Sequence, residues 1–206
     1  MPRGSEELTE SRKEEIVDAC ARLYQTMNYR DITIKEISTE TSFSRPSIYN
    51  YFETKEEIFL ALLTREYHAW TEDVLELAKR PEKLTRDAFA ARFSEILAKR
   101  VTLLKISSMN LYEIEDHSRL ERLVEFKKEF LCAMDAVKRC LQHVFPDMTE
   151  EQIEEFRYAF FPFMYGIYPY VYPTDKQCEA METVGIPFKK TTVYEMVLHF
   201  LKQILP

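Results

Sequence analysis

Apolar and polar residues follow a helical period along most of the chain. In the first segment, apolar side chains recur every three or four residues from Ile16 to Met27, which is the spacing of one buried helix face. Similar stripes run over 59–77, 89–104, 120–141 and 193–204. The pattern predicts an all-α protein with about nine helices.

Helix-start signals come close together between residues 33 and 59. A Ser or Thr followed three residues later by Glu is a capping box, which satisfies N–H groups that a helix start leaves unpaired. It occurs at Thr33–Glu36 and again at Thr54–Glu57. The first predicts a short helix that ends at about Thr41, and the second predicts a long helix that opens at Lys55.

A second short helix is predicted between these two. Ser44 can cap it, and Pro46 is tolerated because the first helical turn has no internal N–H bonds to lose. Ile48 and Phe52 lie one turn apart and are the expected anchors of a helix of about seven or eight residues. Two short helices joined by a tight turn have the geometry of a helix-turn-helix, whose second helix enters the major groove of DNA.

The second helix leaves mainly polar side chains for its outer face. Hydroxyl, guanidinium and amide groups are the kind that bind base edges and phosphates. A small surface helix whose polar face meets water would show the same pattern, so the pattern alone leaves both interpretations open. The outward residues are Ser44, Arg45, Ser47, Tyr49, Asn50 and Tyr51.

The string SRPSIYNYFETKEEIF, residues 44–59, resembles the tetracycline-repressor (TetR) family of bacterial transcription regulators. The residues that carry the resemblance are Ser44, Ser47, Tyr49, Tyr51, Phe52 and Lys55. Where the family usually has Ala-Gly in the turn, this chain has Thr41 and Ser42. Glycine suits a positive φ, so we expect a mildly strained Ser42 or a slightly different turn.

The resemblance implies a three-helix, homeodomain-like DNA-binding domain over residues 11–55. A flexible arm over 1–10 would precede it, and a helical ligand-binding and dimerisation domain over 56–206 would follow. The long fourth helix would join the two domains. The expected partners are near-palindromic double-stranded operator DNA, a second copy of the chain and a small-molecule effector. The implied DNA-binding residues are Thr33, Lys35, Ser44, Arg45, Pro46, Ser47, Tyr49, Asn50, Tyr51 and Lys55.

Further helices are predicted along the rest of the chain. The fourth runs to about Lys79, and later ones cover roughly 85–105, 106–115 and 118–145. An eighth begins at Thr149, a short insert helix covers about 174–182, and the last covers 192–205. The stripe of the last helix is compatible with a four-helix dimer bundle, which is what the family resemblance implies.

Residues 159–172, AFFPFMYGIYPYVY, carry no charged side chain. A run of this length is more often a buried helix than a membrane element. We considered a core with a dimer interface, a lined ligand cavity and a membrane-surface contact. The candidate pocket residues are Trp70, Phe89, Phe93, Met109, Tyr112, Phe130, Met134, Phe160, Met164 and Tyr168. The candidate interface residues are Phe156, Phe160, Phe163, Ile167, Val193, Val197, Phe200, Leu201 and Ile204.

Charge and cysteine usage restrict the possible partners. The net charge is −7, and residues 1–60 hold 8 Lys/Arg against 12 Asp/Glu, which gives −4. A non-specific DNA-coating protein would be basic, so a sequence-specific regulator with a modest salt dependence fits better. The polar N-terminus does not resemble a signal peptide, and the four scattered cysteines suggest reduced thiols. We therefore expect a cytoplasmic protein without a membrane span.

No spacing in the sequence supports catalysis. Cys140 and His143 lie one helical turn apart but lack further zinc-like ligands, so no metal is expected. The three glycines form no phosphate-binding loop, and no cofactor or enzymatic activity is expected. The sequence favours a homodimeric repressor that is released from its operator by a largely apolar or aromatic ligand. The alternative is a helical interaction or scaffolding protein with only secondary DNA contact.

Overall fold

The computed structural model describes residues 3–79 and 84–206, and every regular element in them is helical. The all-α prediction is confirmed, with slightly more helices than expected. The ten α-helices are α1 Arg3–Thr26, α2 Ile34–Thr39, α3 Arg45–Ile48, α4 Lys55–Ala78, α5 Arg86–Ala98, α6 Val101–Ser107, α7 Leu120–Val144, α8 Glu150–Val171, α9 Asp175–Thr183 and α10 Val193–Ile204, with a π-helical segment, Asn110–Glu115, before α7.

The chain divides into two compact units. The first unit comprises Met1–Arg65 and Asn110–Lys128, and the second comprises Glu66–Met109 and Glu129–Pro206. Both α4 and α7 therefore contribute residues to each unit. This grouping differs from the predicted division after residue 55, because the first half of α4 and a segment remote in sequence join the N-terminal helices.

The first unit is built on α1 to α3 and the start of α4. The predicted inner stripe of α1 is buried at Ile16, Ala19, Cys20 and Tyr24. However, α1 already begins at Arg3, so the predicted loose arm over residues 1–10 is wrong from residue 3 onward. Met1 and Pro2 lie outside the described residues. Ser11 and Glu14 have the spacing of a capping box, but in the structure both lie inside α1.

The second unit encloses an aromatic core. Helix α10 packs against α5 and α8, and α8 also packs against α6. The predicted inner stripe of α4 is confirmed, since Phe59, Leu63, Tyr67, Trp70, Val74 and Leu77 are all at most 3% exposed. Within the described residues, no helix is long and apolar enough to cross a membrane.

The predicted fifth helix is divided in the structure. It ends at Ala98, and α6 begins at Val101. The predicted sixth helix, 106–115, is instead the end of α6 followed by the π-helical segment. The stripe predicted for α7 is partly wrong, because Leu120, Val124 and Leu131 are exposed while Phe126, Ala133 and Cys140 face the interior.

Helix α8 continues through both of its prolines. Pro162 and Pro169 lie inside the helix, which runs to Val171, so neither proline ends it. The capping boxes predicted at Thr149 and found at Thr174 and Thr192 open α8, α9 and α10. Gly185 follows α9 with φ of +74°, a conformation that glycine adopts without steric cost.

Candidate DNA-binding surface

Helix α3 is short and is held by two buried side chains. It spans only the four residues Arg45–Ile48, and the chain then turns through Tyr51, whose N–H donates to the Ile48 carbonyl at 2.9 Å. The predicted length of seven or eight residues is therefore wrong. The predicted anchors are confirmed, because Ile48 is 0% exposed and Phe52 is 1% exposed.

The ten DNA-binding candidates of the sequence all reach the surface. Arg45, Tyr49 and Asn50 are exposed, as the prediction of an outward polar face requires. Thr33, Lys35, Ser44 and Pro46 are also exposed, and Ser47, Tyr51 and Lys55 are partly exposed.

Half of these candidates meet around one open groove of about 460 Å³. The groove places side chains from α2, α3 and the start of α4 next to each other, and two carboxylates share it with the cations. Its lining includes the candidates Thr33, Lys35, Arg45, Tyr49 and Lys55, together with Glu53 and Glu56.

Local contacts orient the cations of the groove. The Arg45 guanidinium donates to the Tyr49 hydroxyl at 3.3 Å and lies 5.9 Å from the centre of its ring. The Lys55 ammonium donates to the Tyr29 carbonyl at 2.9 Å and lies 4.1 Å from the centre of that ring. Both groups are thus positioned before any ligand arrives, which lowers the conformational entropy lost on binding.

The turn between α2 and α3 needs no left-handed residue. Among the described residues, no residue other than glycine has a positive φ. Of the two alternatives expected for the turn, a strained Ser42 is therefore wrong. The Ser42 N–H donates to Glu15 of α1 at 2.6 Å. Ser44 occupies the N-cap position of α3, but its hydroxyl pairs with the Ser47 hydroxyl at 2.9 Å and makes no capping bond.

Arg12 of α1 is not among the ten DNA-binding candidates, but it contacts the segment that follows α3. Its guanidinium donates to the Tyr51 hydroxyl at 2.9 Å and lies 5.8 Å from the centre of the Phe43 ring. No spacing signal could have joined Arg12 to Tyr51, because the two are 39 residues apart in sequence.

Glu57 was assigned to a capping box, but the structure gives its carboxylate another role. The Glu57 N–H does donate to the Thr54 hydroxyl at 3.2 Å. The carboxylate itself is 0% exposed and accepts from the Arg119 Nε at 2.6 Å. Burial opposes ionisation of Glu57, but hydrogen bonds from the Arg119 side chain and from the backbone N–H groups of Glu53 and Arg119 outweigh it and lower its pKa.

The candidate pocket residues fall into two groups. Trp70, Phe89, Phe93 and Phe160 form one fully buried cluster in the second unit, where the Phe93 ring lies 6.0 Å from Trp70 and 5.3 Å from Phe160. Tyr112 is 84% exposed and belongs to the first unit, so its assignment to the pocket is wrong. Of the others, Met164 is buried, and Met109, Phe130, Met134 and Tyr168 are partly exposed.

Most of the predicted dimer-interface residues are used inside the chain. An amphipathic stripe predicts that a helix face is buried but does not identify the surface that covers it. In this chain, α10 packs against α5 and α8. Phe163, Phe200 and Ile204 remain partly exposed. The residues buried within this chain, and so wrongly assigned to an interface, are Phe156, Phe160, Ile167, Val193, Val197 and Leu201.

The Phe163 and Phe200 rings stack at 3.9 Å beside a surface groove of about 720 Å³. Both rings line this groove, together with Met196 and Leu198 of α10. Among the described residues, no group of three His, Cys, Asp or Glu side chains gathers in a way that could hold a metal ion.

The helix-turn-helix and the helical second unit define a DNA-binding transcription regulator. The family model "Bacterial regulatory proteins, tetR family" matches residues 16–62, and "Tetracyclin repressor-like, C-terminal domain" matches residues 64–205. The chain belongs to the tetracycline-repressor family, whose members are regulators and not enzymes.

One curated protein and two solved structures illustrate what this chain is similar to. The uncharacterized HTH-type transcriptional regulator YdgC of Bacillus subtilis is 37% identical over 60 residues, which is 29% of this chain and 30% of that protein. The fatty acid degradation regulator FadR of Bacillus halodurans has the same fold, with a TM-score of 0.60 at 12% identity over 94% of both chains. A protein of Mesorhizobium loti assigned to the same family gives 0.59 at 12% identity over 96% of both chains.

Proposed function

We propose that this TetR-family regulator is a homodimeric repressor that binds near-palindromic operator DNA and is released by a small, largely apolar or aromatic ligand. The observation that carries the DNA-binding part is the exposed polar face of α3, held by Ile48 and Phe52, beside a groove that gathers cations from three helices. Members of the family generally act in the cytoplasm, and we assign this chain there as well.

Arg45 and Asn50 are our candidates for base contacts. A guanidinium can bind guanine and an amide can bind adenine through two hydrogen bonds each. Ser44, Pro46 and Ser47 support them at the start of α3. The remaining candidates, Thr33, Lys35, Tyr49, Tyr51 and Lys55, would bind phosphates and so fix the register of α3 on the duplex.

The two kinds of contact predict different mutant behaviour. Arg45→Ala should weaken operator binding by about 1–3 kcal/mol and relax sequence choice, whereas Lys55→Ala should weaken all sequences alike and reduce the salt slope by about 1. Titrating an operator selected from a random pool, and random DNA, over a range of salt measures both effects. Lys99→Ala, on an exposed position of the second unit, is the matched control. Full operator binding by both groove variants would contradict these roles.

The dimer is proposed to form through the outer faces of α8 and α10. The stacked Phe163 and Phe200 and the apolar residues of the adjoining groove are partly exposed in the single chain. A twofold dimer presents two reading helices, so the operator should be a near-palindrome with half-sites one DNA turn, or a multiple of it, apart.

The ligand is proposed to bind among the aromatic side chains of the second unit. Within the described residues, Trp70 Nε1 and the Thr71 and Ser107 hydroxyls are buried without a hydrogen-bond partner. Unpartnered buried polar groups are uncommon and costly, so a ligand that satisfies them gains affinity. The fitting compound is therefore a largely apolar or aromatic molecule that carries a hydrogen-bond acceptor.

Release by such a ligand requires a coupling free energy between the two sites. A coupling of about 1–3 kcal/mol would lower operator affinity about 5- to 150-fold. Compounds that release the operator can be found by screening, and their affinity is then measured by calorimetry with and without operator. Because coupling is reciprocal, the operator must weaken ligand binding by the same factor. A releasing compound whose affinity is unchanged by operator would contradict this mechanism.

A further inference from the structure

Residues 117–122, remote in sequence from the helix-turn-helix, are hydrogen-bonded to the turn between α3 and α4. The Thr54 hydroxyl donates to the His117 carbonyl at 3.2 Å. The Arg122 guanidinium donates to the Tyr51 carbonyl at 3.1 Å. All of these residues belong to the first unit. The turn that follows the reading helix is therefore held in part by a segment outside residues 11–55.

Arg119 bridges two carboxylates in this region. Its Nε and Nη2 donate to the two Glu57 oxygens at 2.6 Å and 2.8 Å, and its backbone N–H donates to the same carboxylate at 3.2 Å. Its Nη1 lies 3.0 Å from Glu53 Oε1. One guanidinium thus pairs with a fully buried carboxylate and an exposed one at the same time.

Glu53 is the more important of the two for DNA. It is 59% exposed and lines the same groove as Arg45 and Lys55. A bare carboxylate at this position would repel the phosphate backbone that the groove cations attract. Arg119 supplies the opposing charge without occupying the groove lining itself.

Arg122 acts on the geometry of α3. A helix of four residues is too short to be stable alone, so its geometry depends on the chain that follows it. Arg122 donates to the Tyr51 carbonyl, three residues after the end of α3, and its guanidinium also lies 5.7 Å from the centre of the buried Phe52 ring.

We propose that Arg119 and Arg122 are positioning residues for operator binding that do not themselves line the groove: Arg119 holds Glu53 in an ion pair beside the groove, and Arg122 fixes the turn that follows the reading helix. The inference rests on the proposed DNA-binding surface.

The test of Arg119 removes its charge without leaving a buried charge behind. Glu57→Gln combined with Arg119→Met keeps the net charge of the protein. It also keeps a side-chain oxygen at position 57 that can accept from backbone N–H groups, but it leaves Glu53 without a counter-ion. Operator affinity should fall roughly 5- to 10-fold at low salt, and the loss should shrink as salt rises, because screening weakens the repulsion. Adding Glu53→Gln to this variant should restore the operator affinity.

The matched control is Asp18→Asn with Arg65→Met, which removes an ion pair of 2.5 Å elsewhere in the first unit. It should change operator affinity less than about 2-fold, because exposed ion pairs contribute little. Circular dichroism and thermal unfolding establish that each variant is folded. If the Glu57/Arg119 double variant does not fold, Arg119→Lys replaces it. Lysine lacks the planar fork with which the guanidinium bonds both Glu57 oxygens and Glu53 at once, so we expect it to lose the Glu53 contact.

Several outcomes would overturn the inference. Wild-type operator affinity in the folded Glu57/Arg119 variant would overturn the role of Arg119. A loss of affinity that persists at high salt, or that Glu53→Gln does not reverse, would also overturn it.

The role of Arg122 is tested by Arg122→Gln. This variant should lower the ratio of operator affinity to random-DNA affinity several-fold, and an unchanged ratio is contrary to the proposal. If Arg45→Ala also binds normally, the proposed DNA surface itself is wrong; if Arg45→Ala loses binding while the Arg119 and Arg122 variants do not, only this inference fails.

Discussion

Replacing Trp70 by alanine is expected to lower the free energy of unfolding by about 3–5 kcal/mol, because the substitution removes buried apolar surface and leaves a cavity. Trp70 is 0% exposed. Its ring lies 6.0 Å from Phe93 and 6.1 Å from both Phe160 and Phe161. These neighbours come from two different helices, so they cannot all close on the vacated space without moving backbone.

Urea unfolding followed by circular dichroism at fixed protein concentration measures the effect, since dimerisation would make stability depend on concentration. Tyr158→Ala is the control, because Tyr158 is 80% exposed on α8 and its loss should cost less than about 0.5 kcal/mol. Trp70→Phe should cost much less than alanine, since the indole N–H has no partner among the described residues. Equal costs for Trp70→Ala and Tyr158→Ala would contradict the described packing.

The sequence predicts best those features that depend on neighbouring residues. The long helix α4 opens at Lys55 and buries the predicted stripe, because its capping signal and its apolar spacing are both local. The capping signal at Thr149 likewise marks the start of α8. Ile48 and Phe52 anchor α3 because residues four apart share a helix face.

The features that the sequence did not predict depend on partners far apart in the chain. Glu57 fits a local capping box equally well, and nothing in the spacing joins it to Arg119, which is 62 residues away. The stripe of α10 signals burial, but only the tertiary structure shows that Val197 and Leu201 face other helices of the same chain. Local patterns and the family resemblance therefore indicated the candidate DNA-binding residues, but not the charged groups that lie beside them.

The position of Gly166 allows a direct test of the dimer face. Gly166 lies inside α8 on the same face as Phe163, and a Cβ atom built there meets nothing within 4 Å. A larger side chain at this position should therefore fit the single chain, and it should favour the helix, in which glycine is less stable than most residues. If two copies pack through this face, Gly166→Trp should prevent the second copy from approaching.

We expect Gly166→Trp to be a folded monomer in analytical ultracentrifugation and to bind operator about 10²- to 10⁴-fold more weakly, because a monomer loses the effective concentration that links the two half-sites. Leu131→Trp is the matched control, since Leu131 is 55% exposed on α7 and receives similar bulk away from α8 and α10. It should remain a dimer with normal affinity. A Gly166→Trp protein that stays dimeric and binds operator like the wild type would place the dimer contact elsewhere, whereas a monomer with undiminished affinity would contradict the twofold operator.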